Sequence, residues 1–247
     1  MLCRDQAKGD SAKKEIETAT GSKLVELLIG DLSSLESVRS IAKNYMEKHD
    51  KLHVLVNNAG LIIGKRTPTV DGLETTFVVD YLSHFLLTNL LLEELKASAP
   101  SRIVNVTSDA HFSGHIDFED LQEGKKFSGM KAYCQSKLAQ VFFTYELSER
   151  LKSTGVSVNC VHPGAVRTHW GDEAGALGIG VKIARPFMLS PEKGAETPIY
   201  LASSPEVEGV SGKFFSKKKE RKSSDESYDK NVSKHLWDVS TKLVSLQ

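Results

Sequence analysis

The chain has 247 residues, 40% of them apolar and 26% charged, which suits one α/β domain with a single sizeable core. Its 32 basic and 32 acidic side chains cancel, so no global field points to nucleic acid or to a membrane surface. Cys3, Cys134 and Cys160 are scattered and odd in number, which fits a reducing compartment and argues against a disulfide framework. There is no run of the roughly 18 apolar residues that would suggest a membrane span. The opening Met1-Leu2-Cys3-Arg4-Asp5 turns polar at once and carries no signal-peptide pattern. As written, the sequence reads as soluble and cytoplasmic.

Short β-rich runs alternate with longer helical stretches. Residues 24–29 predict a strand stopped by Gly30-Asp31, and residues 34–48 a helix capped by Ser33 or Ser34. A second strand over 52–56 breaks at Asn57-Asn58-Ala59-Gly60, and a long helix follows over 73–96. Residues 102–106 predict the third strand, 131–152 a helix, and 156–161 a fourth strand ended by His162-Pro163-Gly164. The glycine-bearing stretch 171–191 reads as irregular, before a helix that begins near Glu192. Lys213-Phe214-Phe215 predicts a short last strand, and the basic run 217–222 a solvated loop. An amphipathic helix carrying Leu236, Trp237, Val239, Leu243 and Val244 closes the chain. This alternation predicts a parallel sheet covered on both faces, with right-handed crossovers. Ligands of such sheets sit beyond the carboxyl ends of the strands. Asp31, Asn58 to Gly60, Thr107-Ser108 and His162 to Thr168 all fall there.

Chemistry concentrates in Tyr133-Cys134-Gln135-Ser136-Lys137. Positions i and i+4 share a helix face, so the phenol and the ammonium can share a site. A free tyrosine titrates near 10, too high for acid–base work at neutrality; an adjacent cation favours the phenolate and makes proton exchange with an alcohol or carbonyl feasible. Such a pair is cheap by chance, and the bland reading is a core tyrosine beside a solvated lysine. Of the six tyrosines, however, only Tyr133 has a lysine at +4. Ser108, at a strand end, can donate to an oxygen that gains negative charge, or can simply cap a turn. A serine-hydrolase reading of Ser108-Asp109-Ala110-His111 is poorer, because no Gly-x-Ser-x-Gly elbow surrounds the serine.

Taken together, Asn57-Asn58-Ala59-Gly60, Ser108, Tyr133-x-x-x-Lys137 and His162-Pro163-Gly164-Ala165-Val166-Arg167-Thr168 resemble the short-chain dehydrogenase/reductase superfamily. Cys3-Arg4-Asp5, Asp71-Gly72-Leu73-Glu74, His84-Phe85-Leu86-Leu87-Thr88 and Leu236-Trp237-Asp238-Val239-Ser240 narrow the resemblance to its retinol dehydrogenases. The resemblance implies one domain over 1–247, with a Rossmann-like doubly wound parallel α/β sheet and helices on both faces. It implies an NADP-dependent oxidoreductase that interconverts retinol-like or other lipid alcohols and their aldehydes. Tyr133 would exchange the proton, Lys137 would activate it and hold the nicotinamide ribose, and Ser108 would orient the carbonyl. Asn58, Ala59 and Gly60 would line the cofactor, Asp31 and Leu32 would flank the adenine, and Pro163, Gly164 and Thr168 would meet the nicotinamide. Arg4 would face the 2′-phosphate and favour NADP over NAD. Residues 171–188, with Leu177, Ile179, Phe187 and Met188, would form the substrate mouth.

Two departures stand out. The family opens with a strand and a Gly-rich turn whose helix start binds the pyrophosphate, and the 247 residues contain no such turn. The expected fold therefore lacks the first strand, that turn and the first helix, leaving a gap between inner strands. The membrane anchor of the endoplasmic-reticulum relatives is also not in the sequence, so membrane association would need such a segment. Secondly, a relay asparagine of the family is replaced here by Asp80, which would either still offer its backbone carbonyl to the relay or pair its carboxylate with Lys137 and alter the electrostatics around Tyr133. A rival reading follows: a truncated, catalytically silent form that acts, if at all, by interaction, including pairing with relatives through the Tyr133 helix. His111 and His115 have metal-like spacing but sit in a loop without a third ligand nearby, so no metal is expected.

Overall fold

The computed structural model describes residues 1–168, 171 and 174–246, with the backbone alone for residues 176, 177 and 181. Strands β1 (Leu2–Cys3) and β2 (Leu28–Ile29) pair in parallel across helix α1 (Gln6–Thr20). Helix α2 (Leu35–Met46) starts at Ser34, whose side chain accepts the Ser37 N–H, and buries Leu35, Val38, Ile41 and Ala42. After β3 (Val54–Asn57) comes one helical passage. It comprises α3 (Thr75–Phe77), a π-helical segment Val78–Leu82, α4 (Ser83–Leu90) and α5 (Leu92–Ala97). The chain continues through β4 (Ser101–Val106), α6 (Gly129–Arg150), β5 (Val156–His162), α7 (Ala176–Ala184) and α8 (Pro191–Ser203). It ends with β6 (Lys213–Ser216), β7 (Lys219–Arg221) and α9 (Lys230–Leu243).

Strands β3, β4, β5 and β6 lie side by side in parallel, and β7 adds an antiparallel edge. Ile103 and Val158 turn one face of this sheet to Phe85, Leu138, Phe142 and Leu236 of the helices above. Val104, Val106 and Val161 turn the other face to Leu201 of α8 and to Val207. Helices cover both faces, as in the Rossmann-like α/β class.

Among the described residues β1–β2 and β3–β7 form separate sheets, in keeping with the gap expected between inner strands. β3 is paired with β4 on one side only, and Val54 and Val56 are 36% and 42% exposed. Apolar side chains of an inner strand would normally be covered.

Four elements differ from expectation. Residues 24–27 do not extend β2, because β1 offers a ladder only two residues long. The helix expected from residue 73 starts after Glu74, whose carboxylate caps Thr76 and Phe77 at 2.8 and 2.7 Å. The stretch 171–191 contains α7, although each of its glycines lowers helix propensity by about 1 kcal/mol and Ile179 and Ile183 on it are exposed. The basic run 217–222 is no simple loop. Lys217 and Lys218 take left-handed φ of 52° and 61° and make a two-residue hairpin turn, a role in which Asn-Gly would be the readable signal. That turn is held by the Lys218 N–H on Thr197 Oγ1 at 3.1 Å and by the Lys213–Glu220 pair at 2.8 Å.

An unpaired apolar strand edge is a template for association. Val56→Lys is therefore expected to raise the concentration at which the protein self-associates, measured by light scattering across a dilution series.

Candidate active site

Helix α6 is buried along most of its length, and small and polar side chains let it lie close on the strands. Asn57 Nδ2 donates to Thr88 Oγ1 at 2.9 Å and to Asn105 Oδ1 at 2.8 Å. Asn105 Nδ2 in turn donates to Thr144 Oγ1 of α6 at 2.9 Å. At the end of β4 the Thr107 hydroxyl donates to the carbonyl of Lys137 at 2.8 Å. Every member of this network is buried and satisfied, which makes it a register lock between β3, β4, α4 and α6.

The lock places Tyr133 and Lys137 beyond the strand ends. Tyr133 packs with Ile62 and Ala174, and Ala110 leans on the same cluster. The segments after β3, after β4 and before α7 therefore meet around its ring. The Lys137 ammonium stands 5.4 Å from the centre of that ring. It has three acceptors: Asp80 Oδ2 at 3.2 Å, Gln140 Oε1 at 3.1 Å and the Val106 carbonyl at 3.5 Å. Gly60 lies directly in front, where an added Cβ would come within 3.0 Å of Lys137 Nζ.

Asp80 is fully buried on the π-helical segment, and its Oδ1 accepts the Leu61 N–H at 2.8 Å. Burial pushes its carboxyl above the usual range, against the opposing pull of the Lys137 ammonium and the Leu61 N–H. His84 Nδ1 pairs with Gln140 Nε2 at 3.0 Å. Burial first, and then the Lys137 charge, take His84 down to about 3, so the ring is neutral.

Ser108 starts the loop after β4, where its Oγ accepts the Ala110 N–H at 3.2 Å. That loop is clamped from two sides: the Asp109 N–H donates to His162 Nδ1 at 3.2 Å, and Arg221 forks onto Asp109 at 3.0 and 2.9 Å. Burial lowers both His162 and His111. His111 bonds the Ser108 carbonyl at 2.6 Å and accepts the Ser224 N–H at 3.2 Å, while His115 pairs with Glu226 at 3.0 Å.

The remaining expected residues also sit at carboxyl ends of strands. Arg4 is exposed just after β1. After β2, the Asp31 carboxylate accepts the N–H and hydroxyl of Ser33, and Leu32 packs on the core. Asn58 and Gly60 are exposed after β3 with Ala59 half-buried; after β5, Pro163 and Gly164 are half-buried and Thr168 is exposed. Gly164 has φ of 96° and a Cβ there would meet Leu189 at 2.6 Å, so only glycine suits that turn. Of the expected mouth, Ile179 and Phe187 are exposed and Met188 half-buried; the Leu177 side chain lies outside the described residues. Gln140 and Ala174 are not singled out by the sequence, and His84 enters there only as part of a family-like motif and not as a site residue. The i+3 spacing of Gln140 from Lys137 was a usable signal, whereas nothing local marks Ala174.

The parallel strands end beside a buried Tyr–Lys pair on the neighbouring helix, an arrangement of the Rossmann-like α/β class. Residues 1–176 match the family model described as short chain dehydrogenase. Mouse "Retinol dehydrogenase 13" is 46% identical over 253 residues, covering 100% of this chain and 76% of that protein. Human "Retinol dehydrogenase 12" is 42% identical over 247 residues, covering 100% of this chain and 78% of the relative. A solved structure of an uncharacterised protein from Mycobacterium paratuberculosis aligns with TM-score 0.78 at 30% identity, over 99% of this chain and 83% of that one. The chain belongs to the short-chain dehydrogenase/reductase family. Its sequence is retinol dehydrogenase-like within it.

His84 yields a stability prediction. Its folded pKa is depressed, so the neutral ring's contribution is complete above the unfolded value near 6.5 and is lost as pH falls from there toward about 3. Urea unfolding titrated over that window is expected to show one proton's worth of slope that His84→Gln abolishes.

Proposed function

We propose that the chain is an NADP-dependent alcohol dehydrogenase/carbonyl reductase, of the EC 1.1.1 type, for retinol-like or other lipid alcohols and their aldehydes. The observation that carries this reading is the buried Lys137 ammonium 5.4 Å from the Tyr133 ring centre, next to the Ser108 strand end. The retinoid class rests on likeness to proteins named as retinol dehydrogenases. The apolar residues exposed on and after α7 suit a long hydrophobic substrate.

The residues present fit the nicotinamide half of the cofactor. Gly60 leaves open the space in front of Lys137 that a Cβ would fill, and Gly164 brings bare backbone to the same end. Asn58, Ala59, Gly60, Tyr133, Lys137, Pro163, Gly164 and Thr168 would hold that half, Asp31 and Leu32 the adenine, and Arg4 the 2′-phosphate. When bound, NADP supplies the hydride acceptor at nicotinamide C4, and NADPH the donor. The chain's own work is proton transfer and orientation. In alcohol oxidation Tyr133 takes the hydroxyl proton as the carbinol carbon loses hydride, and in reduction it returns that proton to the carbonyl oxygen. Ser108 donates to the same oxygen, where negative charge develops. Lys137 steadies the phenolate, and Asp80 tunes Lys137.

A second reading is favoured by the divided sheet: a silent family member that acts by interaction. NADPH titration of the purified chain, followed by fluorescence, separates the two. Saturation at micromolar concentration supports the oxidoreductase, and no binding up to millimolar supports the silent form.

Tyr133→Phe is expected to lower turnover by at least about 100-fold with an unchanged circular dichroism spectrum; retained turnover removes Tyr133 from proton transfer. Arg4→Ala is expected to weaken NADPH binding by about tenfold, the loss of one charge-assisted contact, and to leave NADH binding unaltered in the same titration.

A further inference from the structure

Most of what surrounds Lys137 is neutral. β4 presents the Val106 carbonyl, α6 presents Gln140 and the Tyr133 phenol, and α4 presents His84, held uncharged by burial. The exception is Asp80, whose Oδ2 lies 3.2 Å from the ammonium with both side chains all but inaccessible to water. Asp80 itself faces Lys137, the Leu61 N–H and the Ser136 hydroxyl at 3.5 Å, and Glu74, the cap of the same helical passage, is a second carboxylate close enough that the Asp80 charge adds a minor upward push to its pKa, behind burial. Lys137 is thus the cation that offsets Asp80, and Asp80 the anion that offsets Lys137.

A cation aids a phenol in losing its proton only to the extent that its field is not cancelled nearby. In a site closed to water such cancellation is little screened. Resting on the proton-transfer role proposed for Tyr133, we infer that Asp80 is a positioning residue that sets the pH range of that transfer: its carboxylate anchors the Lys137 ammonium and offsets its charge. Ionised Asp80 disfavours the Tyr133 phenolate, so the phenol yields its proton at higher pH than it would with a neutral residue at position 80. The enzyme is thereby biased toward Tyr133 as a proton donor, the form that carbonyl reduction needs at neutrality.

The test is Asp80→Asn, which removes the charge and keeps an acceptor for the Leu61 N–H. The rising limb of kcat/KM against pH for alcohol oxidation is expected to move to lower pH by about one unit, the low end of what one nearby buried charge does. Ultraviolet absorbance of tyrosinate, taken as the difference between each protein and its Tyr133→Phe counterpart, is expected to move by the same amount. That optical titration needs no turnover, so an inactive wild-type protein sinks the oxidoreductase reading while leaving this inference decidable. Should Asp80→Asn fail to fold, Asp80→Ser is read in the same way. A folded variant whose optical titration stays in place, or moves to higher pH, overturns the inference.

Discussion

The Thr107 hydroxyl donates to the Lys137 carbonyl at 2.8 Å, tying the end of β4 to the middle of α6. With the Asn57–Asn105–Thr144 chain below it, this bond fixes how far α6 can slide along the strands. A shift of one helical turn would leave several buried amides and hydroxyls unpaired, each costing about 1–3 kcal/mol. Tyr133, Lys137 and the Ser108 loop take their relative places from that registry. Tyr133 and Lys137 are thus carried by a regular element, while Ser108 opens the loop that follows β4.

Charge in the site follows from the same closure. Two ionised groups with no access to water are costly unless each finds its full set of partners. Asp80 does so with the Leu61 N–H, Ser136 and Lys137; Lys137 does so with Asp80, Gln140 and the Val106 carbonyl. The π-helical segment matters here, because its wider turn carries Asp80 at the point where the helix passes Lys137. Such segments often mark functional positions within longer helices.

Much of this was legible before coordinates. The strand ends expected at 56, 106 and 161 and observed within one residue of them, the i, i+4 pairing of Tyr133 with Lys137, and the helical cover on both faces all follow from period and punctuation. The Asp80–Lys137 pair is one of the two arrangements open to an acid that replaces an amide at a recognisable position. What escaped depends on partners distant in sequence. The hairpin at Lys217–Lys218 is held by Thr197 and by strand pairing. Ala174 reaches Tyr133 across 41 residues of chain that local pattern does not constrain. The short β2 reflects the length of its partner strand, which no local propensity encodes.

The first thirty residues have an energetic consequence of their own. In α1 only Gly9 is buried, and β1–β2 is a two-residue ladder outside the main sheet. Arg4 and Asp31, the residues proposed for the adenosine end, therefore sit on a part of the molecule with little apolar anchorage. Amide protons there should exchange with solvent at a small fraction of the global unfolding free energy, while those of α6 and β5 wait for complete unfolding. A ligand bridging the two parts would have to immobilise the looser one, and part of its affinity would be consumed in doing so.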